Sequence, residues 1–245
     1  MPGPLPPKIS KEEYEEEIKK PFYIRAMKFQ VPAGLIYLVE RGVEIINFYF
    51  IGHYGSEEEM GGVTIGNSVI ILVLLGTLIG LSITISSFIA QAYSMDNLDL
   101  SRDYLNKGRI CAVILVTIST LMFILCKPLL LFIGLDSEVV YYAYIYMLVQ
   151  IPGLFMLAQF EVLRSLIMAT GDMHLGLGIS CSNIFLHIFW NYLFVVYLNW
   201  GVFGTSMASN FSFAFFYISM SILLTRYEKF NYIQKFYFKS VFNGF

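Results

Sequence analysis

The sequence predicts an all-α membrane protein with six transmembrane helices and both termini in the cytoplasm. Three observations predict it. Six long apolar stretches fill most of the chain, at 29–51, 63–92, 110–133, 139–168, 175–198 and 202–224. Only 14% of residues are charged and 57% are hydrophobic, whereas a soluble domain carries roughly 25% charge. The loops share out positive charge unevenly. Each stretch is long enough to cross about 30 Å of hydrocarbon, which takes roughly 20 helical residues. A backbone in lipid must satisfy its own polar groups, so helices are the reading for such runs.

Residues 1–28 form a cytoplasmic tail, proline-rich over 1–9. Ser10 and Glu13 fit a capping box that opens a short charged helix, and Pro21 ends it. The six-helix lobe occupies 29–225. Positive charge lies before the first stretch (Lys8, Lys11, Lys19, Lys20, Arg25, Lys28), after the second (Arg102, Lys107, Arg109) and after the sixth (Arg226, Lys229, Lys235, Lys239). The opposite loops are acidic at Glu57, Glu58, Glu59, Asp136 and Glu138, with Lys127 as the exception. The positive-inside rule therefore places both termini in the cytoplasm, as an even number of spans also requires. Residues 226–245 interleave Tyr227, Phe230, Tyr232, Phe236, Tyr237 and Phe238 with lysines, a pattern expected to lie along the membrane interface.

Within the spans, Gly76, Gly80 and Thr84 recur every four residues and predict a close helix approach, as do Gly204 and Ala208. Pro152 lies inside the fourth span, where it bends the helix and frees a carbonyl, either as a hinge or as a static kink. Charge inside a span costs at least about 2.5–3.5 kcal/mol and requires a partner or water. The first span holds Glu40, Arg41 and Glu44, and the fourth Glu161 and Arg164. Arg41 reaches Glu44 and Glu161 reaches Arg164 at three-residue spacing. Three carboxylates then face two guanidiniums, so one acid lacks a partner in its own helix. Two readings follow: interhelical salt bridging, for example Arg41 with Glu161, or a proton or cation site at Glu40 and Glu44. Arg164 could alternatively snorkel to the cytoplasmic interface. Asn183, His187 and Asn191 make a polar stripe on the fifth span, and Asn47, Asn67, Gln91, Gln150 and Gln159 are further buried polar candidates.

The sequence holds no Gly-rich phosphate loop with lysine, no His/Cys cluster and no nucleophile elbow. This excludes the usual ATP-driven pumps and soluble enzymes, and calls for no cofactor, metal or catalytic residue. Cys111, Cys126 and Cys181 fall in apolar segments without metal-ligand spacing. No basic field argues for nucleic acid.

Several motifs resemble a known family. Gly52, His53, Tyr54 and Gly55 after the first span look like the GHLG turn of the multidrug and toxic compound extrusion (MATE) family, eukaryotic branch. Gln91, Ala92 and Tyr93, then Tyr104 and Leu105, resemble its GQA(Y/F)G…YL segment. Ile151 and Pro152 with Gly171 match its fourth-helix pattern. Asn183, then Asn191 to Phe194, then Gly201 to Ala208, resemble its N…NYLF…GVxGxAxA region. The order of these motifs covers residues 30–225. The resemblance implies a secondary transporter that exports organic cations in exchange for protons or sodium. Such proteins have two six-span lobes, parallel repeats around a cleft. This chain matches the amino-terminal lobe.

In this reading Glu40 and Glu44 are the coupling candidates, and Asn47, Gln91, Glu161, His187 and Asn191 the substrate-cleft candidates. Pro152, Gly76, Gly80 and Gly204 are structural. The partners are an organic cation, a proton or sodium, the bilayer, and either a second copy of the lobe or a separate second lobe. The chain departs from bacterial members at Asn47, where they carry an aspartate, and at Ser94, where the family has glycine. Two other functions are weighed: a non-transporting half-length subunit or remnant, and a flippase for lipid-linked sugars. The membrane is the plasma membrane or an internal, vacuolar-type one.

Overall fold

A computed structural model describes residues 21–237. The charged tail helix, its capping box and Lys239 lie outside the described residues. The described regular structure is helical throughout. Helix α1 spans Phe22–Tyr54, α2 Glu57–Ser94, α3 Leu98–Phe132, α4 Ser137–Thr170, α5 His174–Asn191, α6 Gly201–Thr225 and α7 Glu228–Gln234. A π-helical turn at Ile71–Leu75 interrupts α2, and a second, Tyr192–Tyr197, extends α5. Among the described residues, five helices are long and apolar enough to cross a membrane: α2 to α4, Leu175–Tyr197 and α6. The first helix is as long but carries Glu40, Arg41 and Glu44, and is not among the five.

Local chemistry sets the helix boundaries. Pro21 sits at the N-cap of α1. Ser56 and Glu59 form a reciprocal capping box on α2, whose first turn is acidic and so complements the helix dipole. Asn97 caps α3 and Asp136 caps α4 through side-chain oxygens. Gly171, at φ +81°, ends α4 in the left-handed conformation that glycine adopts without a Cβ clash. The third predicted stretch began at 110, whereas α3 begins at Leu98. Its first three turns are polar and amphipathic, so hydropathy alone did not register them.

Helix α4 is the hub. It packs against α2, α3 and α6, while α1 lies against α5. From Phe160 to Ile167 every residue of α4 is buried, Glu161 and Arg164 included. The close approach of α2 to α4 is made at Gly62 and Gly66, where a Cβ would fall within 3 Å of Tyr142, Ala143 or Tyr146. This corrects the expectation for Gly76 and Gly80. Both are exposed, a Cβ at Gly80 would meet nothing within 4 Å, and one at Gly76 would touch only the carbonyl of Ile71 in its own helix, at 3.9 Å. Four-residue spacing places small residues on one face but does not say which face a neighbour covers. At Gly204 a Cβ would lie 2.8 Å from the carbonyl oxygen of Phe194, so the α5–α6 corner does require glycine.

Pro152 leaves α4 without one ladder hydrogen bond. One residue on, Asn210 of α6 inserts its amide into the ladder: Gly153 N–H donates to Asn210 Oδ1 (2.9 Å) and Asn210 Nδ2 donates to Val149 C=O (2.7 Å). Those two backbone groups would otherwise pair with each other, so a neighbouring side chain bridges the bend. The described part of the carboxy-terminal tail adds a contact that the sequence does not announce. It docks on protein: Phe230 and Ile233 of α7 are buried, and Lys229 donates to Tyr93 Oη at 2.7 Å. Arg109 donates to the Gln234 carbonyl at 2.7 Å, and Tyr232 Oη donates to Asp99 at 2.6 Å.

Candidate functional site

The charges of α1 and α4 meet across a cavity bounded by α1, α2, α4 and α6. Arg164 is 3% exposed, and its guanidinium holds two carboxylates. One is Glu161, three residues earlier on the same helix face; the other is Glu40 of α1, at 3.4 Å. Ser180 of α5 donates to the second oxygen of Glu40 at 3.5 Å, and the guanidinium stacks over the Tyr37 ring at 4.2 Å. Ser82 of α2 donates to the Glu161 carbonyl at 3.2 Å, tying a fourth helix to this point. Arg41 pairs with Glu44 within α1, half-exposed. The two pairs at three-residue spacing are thus present, and the acid without a partner in its own helix is Glu40. The interhelical bond is Arg164–Glu40, not Arg41–Glu161. Arg164 does not reach for an interface: it is buried among helices, where a guanidinium without acids would be costly.

A second polar cluster lies one to two turns along α1. Asn47 Nδ2 donates to Ser209 Oγ (2.9 Å), which leaves Asn47 Oδ1 to accept from His187 Nε2 (2.8 Å) and Asn191 Nδ2 (3.1 Å). The Ser212 hydroxyl lies 2.8 Å from His187 Nδ1, and Thr205 donates to Asn191 Oδ1 at 2.7 Å. All six residues are at most 2% exposed. The cluster contains no carboxylate and no guanidinium.

The cavity, of about 50 Å3, is lined by Glu40, Glu44, Asn47 and Glu161 among the candidates. His187 and Asn191 sit behind Asn47, bonded to it but not in the lining. Gln91 is not part of the site. It is exposed at the far end of α2, where its carbonyl accepts from Ser94. Ser180, Thr205, Ser209 and Ser212 escaped the sequence reading because serine and threonine inside a span also satisfy their own helix carbonyls. The 205, 209, 212 spacing on one face of α6 was the available signal.

Comparison with known proteins then decides the family. The MatE family model matches residues 32–193. The chain belongs to the MatE family. It is 26% identical over 196 residues to Protein DETOXIFICATION 36 of Arabidopsis thaliana, covering 80% of this chain and 38% of that protein. It is 28% identical over 177 residues to Protein DETOXIFICATION 39 of the same plant, covering 72% and 34%. Its fold matches the crystal structure of the eukaryotic MATE transporter AtDTX14 with a TM-score of 0.83 at 19% identity, covering 91% of this chain and 50% of that one. It also matches an outward-facing multidrug resistance MATE transporter of the MOP superfamily, with a TM-score of 0.71 at 18% identity over 81% and 43% of the two chains. The chain spans about 38% of the length of the first of these curated relatives. It is an integral, multi-pass membrane protein with the helical fold of one part of a MATE transporter, in a family of transporters rather than enzymes.

Proposed function

We propose that this chain is the ion-coupling lobe of a secondary transporter that exports organic cations in exchange for protons or sodium. The observation that carries this reading is the buried guanidinium of Arg164 shared by Glu40 and Glu161 at the edge of a cavity. One positive and two negative charges leave the group one charge short of neutral. A proton on Glu40 or a bound cation would restore the balance, and charge imbalance inside a span marks ion pathways. Glu44, engaged with Arg41 on the same lining, is the second coupling candidate. Asn47, where bacterial members carry an aspartate, serves as a positioning residue. The first helix crosses the membrane together with the other five, both termini are cytoplasmic, and a second lobe completes the cleft. That lobe is a second copy of this chain or a separate one. The membrane is the plasma membrane or a vacuolar-type membrane.

The test is gradient-driven efflux of a fluorescent organic cation from proteoliposomes, with crosslinking to report lobe pairing. Glu40→Gln is expected to abolish coupled flux and Glu44→Gln to weaken it. Full flux in both variants overturns the carboxylate mechanism. A non-transporting subunit is the second reading, favoured by the fact that each of the three acids has a guanidinium partner. Stoichiometric purification within a larger assembly, without flux, would support it. A flippase for lipid-linked sugars ranks below both, because the cavity lining presents three glutamates and one arginine, whereas a pyrophosphate requires a cationic lining.

A further inference from the structure

An open groove lies at the α7 end of the bundle, between α3, α4, α6 and α7. It consists of two adjoining hollows of about 440 and 400 Å3 that share Arg109, Tyr217 and Phe236 as walls. Each is in the size range of a ligand pocket, roughly 300–1,000 Å3. Its polarity is graded along the helices. Arg109 of α3 precedes Val113 by four residues, Gln159 of α4 follows Phe155 by four, and Ser221 of α6 follows Tyr217 by four. Residues so spaced share a helix face, about 6 Å apart along the axis. The first turns of α3 and the end of α4 both meet α7, through Arg102–Tyr232 and Asp172–Lys229. In each helix the polar residue is therefore nearer α7, and the aliphatic or aromatic one lies deeper in the bundle. Asn231, Gln234 and Lys235 close the polar end.

Arg109 supplies an independent observation. Arg41, Arg102 and Arg164 each hold a carboxylate. Half-buried Arg109 holds none among the described residues. Its Nη1 donates to the Gln234 carbonyl at 2.7 Å, and its buried Nε has no acceptor. A guanidinium has five donors and a permanent charge, and a charge withdrawn from water calls for a counter-charge. No aspartate or glutamate lines either hollow, and Lys235 brings a second cation. The central cavity, lined by three glutamates, has the opposite sign.

We propose that this groove binds one anionic phospholipid, with its phosphate on Arg109 and Lys235 and an acyl chain over Val113, Phe155 and Met156. The occupant follows from charge complementarity and from the grading. A phosphodiester offers the charged oxygens that a guanidinium binds most strongly, and the deeper residues give an attached chain an apolar path. A free phosphate would fill only the polar end, and a neutral hydrocarbon would leave Arg109 without a counter-charge. Because Gln234 and Lys235 belong to the α7 segment, the bound lipid braces that segment against α3, α4 and α6. The site is separate from the Glu40–Arg164–Glu161 group and stands whether or not the exchange reading holds.

The test is native mass spectrometry of the full chain released from micelles, titrated with phosphatidylglycerol or phosphatidylcholine. One phosphatidylglycerol is expected to bind at least about ten-fold more tightly than phosphatidylcholine, since each cation near an anionic lipid is worth roughly five-fold. Arg109→Gln and Lys235→Gln should each cut this preference by about five-fold. Arg226→Gln removes an exposed cation outside the groove and should leave it intact. Met156→Trp fills the apolar part from an exposed position and should weaken phosphatidylglycerol binding with no change of charge, which decides the matter if Arg109→Gln does not fold. Equal binding of the two lipids overturns the proposal. So does an equal loss in Arg226→Gln, the mark of unspecific charge, or unchanged affinity in Met156→Trp. Displacement of phosphatidylglycerol by inorganic phosphate assigns the polar end to the free ion and overturns the lipid. Binding that appears only once residues 238–245 are removed assigns the groove to that segment and overturns it as well.

Discussion

Two polar clusters share the α1 face, and they are built on opposite principles. The Glu40–Arg164–Glu161 group is held by charge and is one proton short of balance. The Asn47–His187–Asn191 group is held by neutral hydrogen bonds in which amide, imidazole and hydroxyl partners satisfy one another. A closed network of this kind rigidifies the contact of α1 with α5 and α6. An open one, bordered by a cavity, can change its occupant. Under the proposed function, the difference assigns chemistry to Glu40 and architecture to Asn47.

Breaking each cluster should expose this difference, and the largest effect belongs to the charged one. Arg164→Leu strands two buried carboxylates and is expected to destabilise the lobe by about 3–5 kcal/mol. Unfolding in micelles checks it, and adding Glu40→Gln with Glu161→Gln should recover most of the loss. In the neutral cluster, His187→Leu leaves Asn47 and Ser212 without their ring partner and should cost about 1–3 kcal/mol. Its signature is a loss of stability with coupled flux retained, the reverse of Glu40→Gln. Gly153→Ala drives a methyl to within 2.2 Å of Asn210 Oδ1, displacing the amide that bridges the α4 bend. A cost of about 1–3 kcal/mol is expected. Asn210→Leu should bring little further loss on that background, because both changes remove the same bridge.

The smallest effect is the most direct check on the role of burial. Arg102 also serves two acids, Asp99 at 2.9 Å and Asp103 at 3.9 Å, but Asp99 is 71% exposed. Asp99→Asn should cost no more than about 1 kcal/mol, because water screens the pair. The same group carries a pH signature. Donation to Asp99 keeps the Tyr232 phenol protonated and raises its pKa above the ordinary tyrosine value, with burial adding a smaller push. The stability this lends the α7 contact is complete below the unfolded pKa. It is lost as pH rises through the raised folded one, so the contact should loosen only under alkaline conditions. Hydrogen exchange of the Glu228–Gln234 segment across alkaline pH measures it, and Tyr232→Phe should remove the dependence.

Much of this molecule was legible in the sequence, and the parts that were not share a cause. The apolar helices and the pairs Arg41–Glu44 and Glu161–Arg164 depend on neighbours three or four residues away, which the 3.6-residue period fixes without knowledge of the fold. The amphipathic first turns of α3 and the docked α7 were not visible to hydropathy, because their burial is supplied by other helices. Gly76 and Gly80 show the limit from the other side: the spacing is right, but the covered face is at Gly62 and Gly66.

By itself, then, the chain determined its helices, its residence in a bilayer and the excess of acids over guanidiniums. The tertiary structure decided that Arg164 answers Glu40, that Asn47 meets His187, and that Asn210 enters the bend at Pro152. Each of those contacts joins residues more than fifty positions apart or depends on how a helix is rotated toward its neighbours. Rotation and depth are set by packing across whole helix faces, a sum over many side chains that no local spacing encodes.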